Sequence, residues 1–177
     1  MITYIALLRG INVGGHKKVS MADLRSLLTG IGFNEVLTYI QSGNIVFQSS
    51  EKNKTILEDK IQKVIESHFG FFVPVIVKTK QELQLIFDSC IFSEEKKTKS
   101  FFILLDKIPE TDLVKQVNKI TFENEEFSII NNALYFYSSV GYGRTKFNMN
   151  TFEKKLKVNA TSRNYNTVKK LLDLGSF

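Results

Sequence analysis

The chain has 177 residues, 43% of them apolar, with 24 Lys and Arg against 18 Asp and Glu for a net charge of +6, and a single cysteine. That length suits one medium domain or two small ones. One cysteine excludes an intrachain disulfide, and no apolar run approaches the roughly 18 residues of a membrane-spanning helix. The excess charge is C-terminal: residues 141–177 hold eight Lys and Arg against two acids, net +6, and the first 140 residues balance. An anionic partner and a pair of solvated helix faces both account for it.

A first strand is expected over residues 3–8, running into the loop Arg9-Gly10-Ile11-Asn12-Val13-Gly14-Gly15-His16-Lys17-Lys18. A helix follows from Ser20, with Met21, Leu24, Leu27, Leu28 and Ile31 at helical spacing. Ser20 and Asp23 give it a capping-box-like start, and Gly30 and Gly32 end it. Residues 35–40 form a second strand, Gln41-Ser42-Gly43-Asn44 a turn, and 45–48 a third strand. A helix over about 54–68 turns Leu57, Ile61, Val64 and Ile65 to one side. Residues 72–77 complete a βαββαβ series, the ferredoxin-like plait, across residues 1–78. The plait has strand order 4-1-3-2, which puts the fourth strand at an edge. Pro74 fits there because proline has no N–H for a ladder.

Thr79 and Glu82 open another helix, through Cys90, whose apolar neighbours Leu83, Ile86 and Phe87 make the thiol a small buried hydrophobe. Residues 94–99 read as a charged, mobile loop. The second half, 79–177, then restarts the pattern. It has a strand at 100–105 and a helix from Pro109-Glu110-Thr111 with Leu113, Val114, Val117 and Ile120 inward. A hairpin of 127–130 and 133–137 turns on Asn131-Asn132, and helices follow near 151–156 and 165–174. The expected fold class is α+β: two ferredoxin-like (βαββαβ) plaits in tandem, the second incomplete because its last strand is missing or replaced. The strands at 3–8 and 100–105 are nearly continuous apolar runs, so both faces of each should be covered.

The topology also builds a site. Strands one and three are antiparallel neighbours, so the loop after strand one meets the turn before strand three. Arg9, Asn12, Gln41, Ser42 and Asn44 should converge there, beside a helix N-terminus. Gly10, Gly14 and Gly15 open the backbone, Lys17 adds charge with Lys18, and no acid occurs between Arg9 and Ser20. Backbone N–H groups plus cations suit an anion. Gly10 to Gly15 imitates part of a Walker A loop, but His16-Lys17-Lys18 stands where Gly-Lys-Ser is needed. A third polar cluster, Ala160-Thr161-Ser162-Arg163-Asn164-Tyr165-Asn166-Thr167-Val168, precedes the last helix. Capping explains one or two of its residues and does not require Arg163, Asn164 and Asn166 together.

These three segments, with Tyr39-Ile40 before the turn, resemble the signatures of the domain-of-unknown-function 1697 family, and the resemblance runs along nearly the whole chain. It implies a small bacterial cytoplasmic protein with a two-plait fold, and no assigned activity. Tyr165 stands where that family often has Trp.

The remaining chemistry is sparse. His16 and His68 lack metal-ligand spacing, and one cysteine makes none of the usual zinc patterns. Glu58-Asp59 and Glu94-Glu95 are adjacent acids rather than pairs across a cleft, and no Ser–His–Asp signature occurs. An RNA-binding plait would have only Tyr4 and Phe47 for stacking. The expectation is a binding protein for a phosphate-bearing ligand: a nucleotide, a phosphorylated metabolite or nucleic acid. The alternatives are a phosphate-handling transferase with Arg9 and Arg163 as charge stabilisers, and a structural domain whose motifs only shape loops. No membrane partner is expected, the N-terminus does not read as a secretory leader, and no cofactor or oligomeric state follows from these residues.

Overall fold

The computed structural model describes residues 1–176; Phe177, the last residue of the expected second half, lies outside the described residues. The chain forms two compact units. The first is Met1–Gln84 with the segment from Lys170, and the second is Leu85–Lys169. Each holds a four-stranded antiparallel sheet.

The first unit runs β1 (Ile2–Leu8), α1 (Met21–Gly30), β2 (Asn34–Tyr39), β3 (Asn44–Ser49), α2 (Lys54–Phe69) and β4 (Val75–Thr79), with sheet order β2-β3-β1-β4. That is the expected order, with β4 at an edge. The strand itself begins one residue after Pro74, later than residue 72. Pro74 contributes what it can, its carbonyl, which accepts the Arg9 N–H at 3.0 Å. Tyr4, Ala6 and Leu8 of β1 and Ile45 and Phe47 of β3 form a core with Leu24 and Leu28 of α1 and Leu57, Ile61 and Ile65 of α2. Ile5 and Leu7 are buried too, so both faces of β1 are covered. The end of α1 is a Schellman motif: Phe33 N–H donates to Leu28 O and Gly32 N–H to Thr29 O, with Gly32 left-handed at φ 92°.

Helix α3 (Lys80–Asp88) opens on a complete capping box. Glu82 N–H donates to Thr79 Oγ1 at 3.1 Å, and Thr79 N–H donates to Glu82 Oε2 at 2.8 Å. Cys90 lies just past its end, half-buried, and burial pushes its thiol pKa up, against reactivity.

The second unit contains α4 (Glu94–Lys97), β5 (Phe101–Leu105), α5 (Thr111–Val117), β6 (Glu125–Ile130), β7 (Ala133–Ser138), a 3₁₀ turn at Tyr142–Arg144, α6 (Met149–Leu156) and β8 (Ala160–Asn164). Helix α7 (Tyr165–Leu174) follows. Its sheet order is β6-β7-β5-β8. Two expectations are corrected here. The second half is not missing a strand: β8 pairs antiparallel with β5, Phe102 opposite Arg163 and Leu104 opposite Thr161. The first five residues of the polar cluster, Ala160–Asn164, are that strand, and the rest open α7. Residues 94–97 are likewise helical rather than a loop, with Ser93 as N-cap, acids in the first turn and lysines in the last, matching the helix dipole. Ile103, Leu105, Leu134 and Phe136 of the sheet pack with Phe147, Phe152 and Leu156. The whole is an α+β protein.

Candidate functional site

The loop after β1 is shaped by a few residues that admit little substitution. Leu8 N–H donates to Gly43 O at 2.8 Å, holding the β2–β3 turn against the end of β1. Gly43 is left-handed at φ 77°, and a Cβ there would lie 2.5 Å from Leu8 Cβ and 2.9 Å from Ile11 Cδ1. Only glycine fits that approach. Ile11 and Val19 are buried and anchor the two ends of the loop.

Between them, Asn12 closes the loop. Its Nδ2 donates to Val19 O at 3.0 Å and Gln41 O at 2.8 Å, and its Oδ1 accepts the Val19 N–H at 2.9 Å. Its own N–H reaches Lys17 O at 3.1 Å, with Asn12 left-handed at φ 53°. One side chain thus ties the glycine-rich loop to itself and to the neighbouring turn. Asn44 does the same inside the turn: it is fully buried, and its Nδ2 donates to Tyr39 O at 3.0 Å and Ser42 Oγ at 2.9 Å.

The loop tip is open. Gly10, Gly14 and Gly15 are exposed and left-handed, and His16 N–H closes a tight turn onto Val13 O at 3.0 Å. Lys17 is pinned: its Nζ donates to Phe72 O at 2.9 Å and sits 6.0 Å from the Phe71 ring centroid. Lys18 is exposed. Ser20 caps α1, accepting Asp23 N–H at 3.3 Å. Asn12, Gly15, Lys18, Val19, Ser20 and Gln41 line a shallow depression of about 530 Å³.

Asn12 and Gln41 therefore meet as the topology requires. Gln41 and Ser42 are exposed on the turn, and Arg9 is half-exposed beside it on the chain. The buried amide of Asn44 faces its own turn, and the ammonium of Lys17 is bound to Phe72 O in the segment before β4. Lys18, which the sequence offers as added charge beside Lys17, and Ser20, which it offers as a helix start, border the depression as well. Their signal was position, immediately before the first helical N–H groups.

Arg163, Asn164 and Asn166 belong to the second unit. Arg163 is buried in β8, donating to Thr161 Oγ1 at 2.9 Å and Ser162 O at 2.8 Å. Burial lowers its pKa to about 10, so it stays charged at neutral pH. Asn164 caps α7 through Oδ1, which accepts Thr167 N–H at 2.9 Å, and Asn166 is exposed in the first turn of that helix. Among the described residues, no three His, Cys, Asp or Glu side chains are grouped to hold a metal ion, and no helix is long and apolar enough to cross a membrane.

A family model described as "Protein of unknown function (DUF1697)" matches residues 1–135, and the chain belongs to that family. The match takes in the loop and turn motifs; the polar cluster at 160–168 lies beyond it. The solved structure of conserved bacterial protein SP0830 from Streptococcus pneumoniae is similar to this chain at a TM-score of 0.75 and 24% identity, covering 99% of each. That likeness concerns the fold. No curated protein matches the chain.

Proposed function

We propose that the loop–turn surface of the first unit binds a phosphate-bearing ligand: a nucleotide, a phosphorylated metabolite or nucleic acid. One observation carries this. The depression beside the start of α1 is bordered by the exposed Lys18, the open backbone of Gly15 and the Asn12–Gln41 junction, and no carboxylate occurs between Arg9 and Asp23. An anion there gains charge-assisted hydrogen bonds and the positive end of the helix dipole together. Both halves are taken as ferredoxin-like plaits, in a bacterial cytoplasmic protein.

The test is calorimetric titration with nucleotides, phosphosugars and single-stranded RNA and DNA at two salt concentrations. Arg9→Ala is expected to weaken binding by about 1.5–3 kcal/mol, the scale of hydrogen bonds to charged groups, and Lys18→Ala to weaken it as well. Absence of binding to every member of the panel, or affinity unmoved by both substitutions, would refute the proposal. A second reading has its own support. The side chains of Asn12 and Asn44 engage backbone carbonyls of these loops and that of Lys17 ties the first loop to Phe72 O before β4, which favours a family signature that specifies loop shape. That reading expects loss of stability from substitutions there, and no ligand.

A further inference from the structure

Strand β6 ends its sheet, with β7 on one side only. Ile130 pairs with Ala133 across the hairpin, and at the far end Ser139 N–H donates to Asn124 O at 3.0 Å in the same register. Antiparallel strands exchange such bonds at every second residue. The even-numbered residues therefore direct their main chain to β7, and the N–H and C=O groups of Phe127 and Ile129 point off the edge of the sheet. A row of this kind is a template for another strand. Proline and a bulge are absent from β6; its charges, Glu125 and Glu126, stand at its first two residues, where Phe122 also bridges to Glu125, so the open stretch is Phe127 to Ile129.

The edge is also walled. Residues 125–129 border a cavity of about 700 Å³ that no residue of β7 lines. On the Glu126 side of the sheet, Phe92 lies 6.4 Å from the ring of Tyr137, and Lys96 sits 5.5 Å over the same ring and pairs with Glu126. On the opposite side, Phe122 packs 6.4 Å from Phe127. Side chains thus stand on both faces of the edge, and a chain laid along Phe127 to Ile129 would run between them. A second copy offering its own walled edge would set wall against wall.

Charge narrows the occupant further. The cavity lining carries one cation, Lys96, against Glu125 and Glu126, on a chain whose net charge is +6. Glu125 is buried and accepts the N–H groups of Lys146 and Phe147, so the reachable carboxylate is Glu126, half-exposed at the groove. The two walls differ in kind: one has the apolar Ile120 and Phe122, and the other sets the charged Lys96 and Glu126 beside Phe92.

We infer that the open edge of β6 is a docking groove for an extended segment of another protein, which joins the second sheet as a fifth strand, alternates apolar with polar residues and sets a Lys or Arg across from Glu126. Main-chain hydrogen bonds to Phe127 and Ile129 supply affinity, and the unlike walls supply specificity. This groove belongs to the second unit and does not depend on the phosphate proposal.

The experiment selects peptides from a random display library on the full chain, then resynthesises one selected Lys- or Arg-bearing peptide with a single N-methyl group at each position in turn. N-methylation removes one donor and leaves every side chain. The expected result is amide shifts confined to residues around 125–129 in NMR titration, with affinity falling about tenfold, the scale of one or two lost hydrogen bonds, at alternate positions only. Glu126→Lys should weaken the cationic peptide and restore affinity when that Lys or Arg is replaced by Glu. Selection of no peptide that moves these amides, or tolerance of N-methylation at every position, overturns the inference. So does a concentration-dependent dimer that shifts the same amides, since a second copy would then cover the edge.

Discussion

Two side-chain positions decide the shape of the candidate site, and they act in opposite ways. Gly43 matters for what it lacks. Adding a methyl group there forces a left-handed alanine, about 1–2 kcal/mol, and drives it into Leu8 and Ile11, for which overpacking adds about 1–3 kcal/mol. Gly43→Ala is therefore expected to lower the stability of the first unit by several kcal/mol in chemical denaturation, and a change within experimental error would show that the turn adjusts. Asn12 matters for what it holds. Asn12→Asp keeps the acceptor for Val19 N–H but turns a carboxylate oxygen toward the carbonyls of Val19 and Gln41. It should destabilise the loop by about 1–3 kcal/mol and speed proteolysis near Gly14. From sequence, Asn12 reads equally as a ligand donor or a clamp, because both need a polar side chain in a glycine-rich loop. The carbonyls that decide between them come from residues 7 and 29 positions away, and folding alone brings them there.

At the scale of elements, what was legible follows from patterning, and what was not follows from its absence. The order of the first sheet could be read because β1, α1, β3 and α2 carry clear apolar periods and Pro74 marks an edge. Strand β8 escaped because an edge strand of Ala, Thr, Ser, Arg and Asn carries the residue types of a helix cap, and Asn164 is indeed the cap of the next helix. Helix α4 escaped because four charged residues have no apolar face. The capping box of α3 was legible, and its chemistry gives a pH dependence. Burial alone would raise the Glu82 pKa, but the hydrogen bonds from Lys54 and the Thr79 N–H, with the charges of Lys54 and Lys78, outweigh it and leave it depressed. A depressed carboxylate contributes stability above its unfolded value, near 4.5, and loses it as pH falls through the lower folded value. Denaturation midpoints should therefore drop below about pH 4.5, and Glu82→Gln should flatten that drop while lowering stability at pH 7. An unchanged acid limb in Glu82→Gln would assign the dependence to other carboxylates. Thr79→Ala, which removes the reciprocal half of the box, is expected to cost about 1 kcal/mol at neutral pH.

For the molecule as a whole, the surplus charge could be counted in the sequence but not sorted by exposure. Of the eight cations in residues 141–177, Arg163 is buried in β8, and Arg144, Lys146, Lys154, Lys155, Lys157, Lys169 and Lys170 are exposed. The one arginine placed in a candidate motif is thus the one withdrawn from solution. Lys154, Lys155 and Lys157 follow one another along the end of α6 and its cap. If nucleic acid is the phosphate-bearing partner, each lysine–phosphate contact releases a counterion and adds about 0.7 to the slope of log affinity against log salt for a single strand. Neutralising the three together, Lys154→Gln, Lys155→Gln and Lys157→Gln, should lower the slope for single-stranded RNA by up to about 2 and leave mononucleotide affinity unchanged. Lys18→Ala should do the reverse, weakening a mononucleotide with little effect on the slope. The two measurements separate a local anion site on the first unit from a general electrostatic surface on the second. A slope unmoved by the triple substitution would leave the C-terminal lysines as solvated helix faces, whatever the loop beside α1 binds.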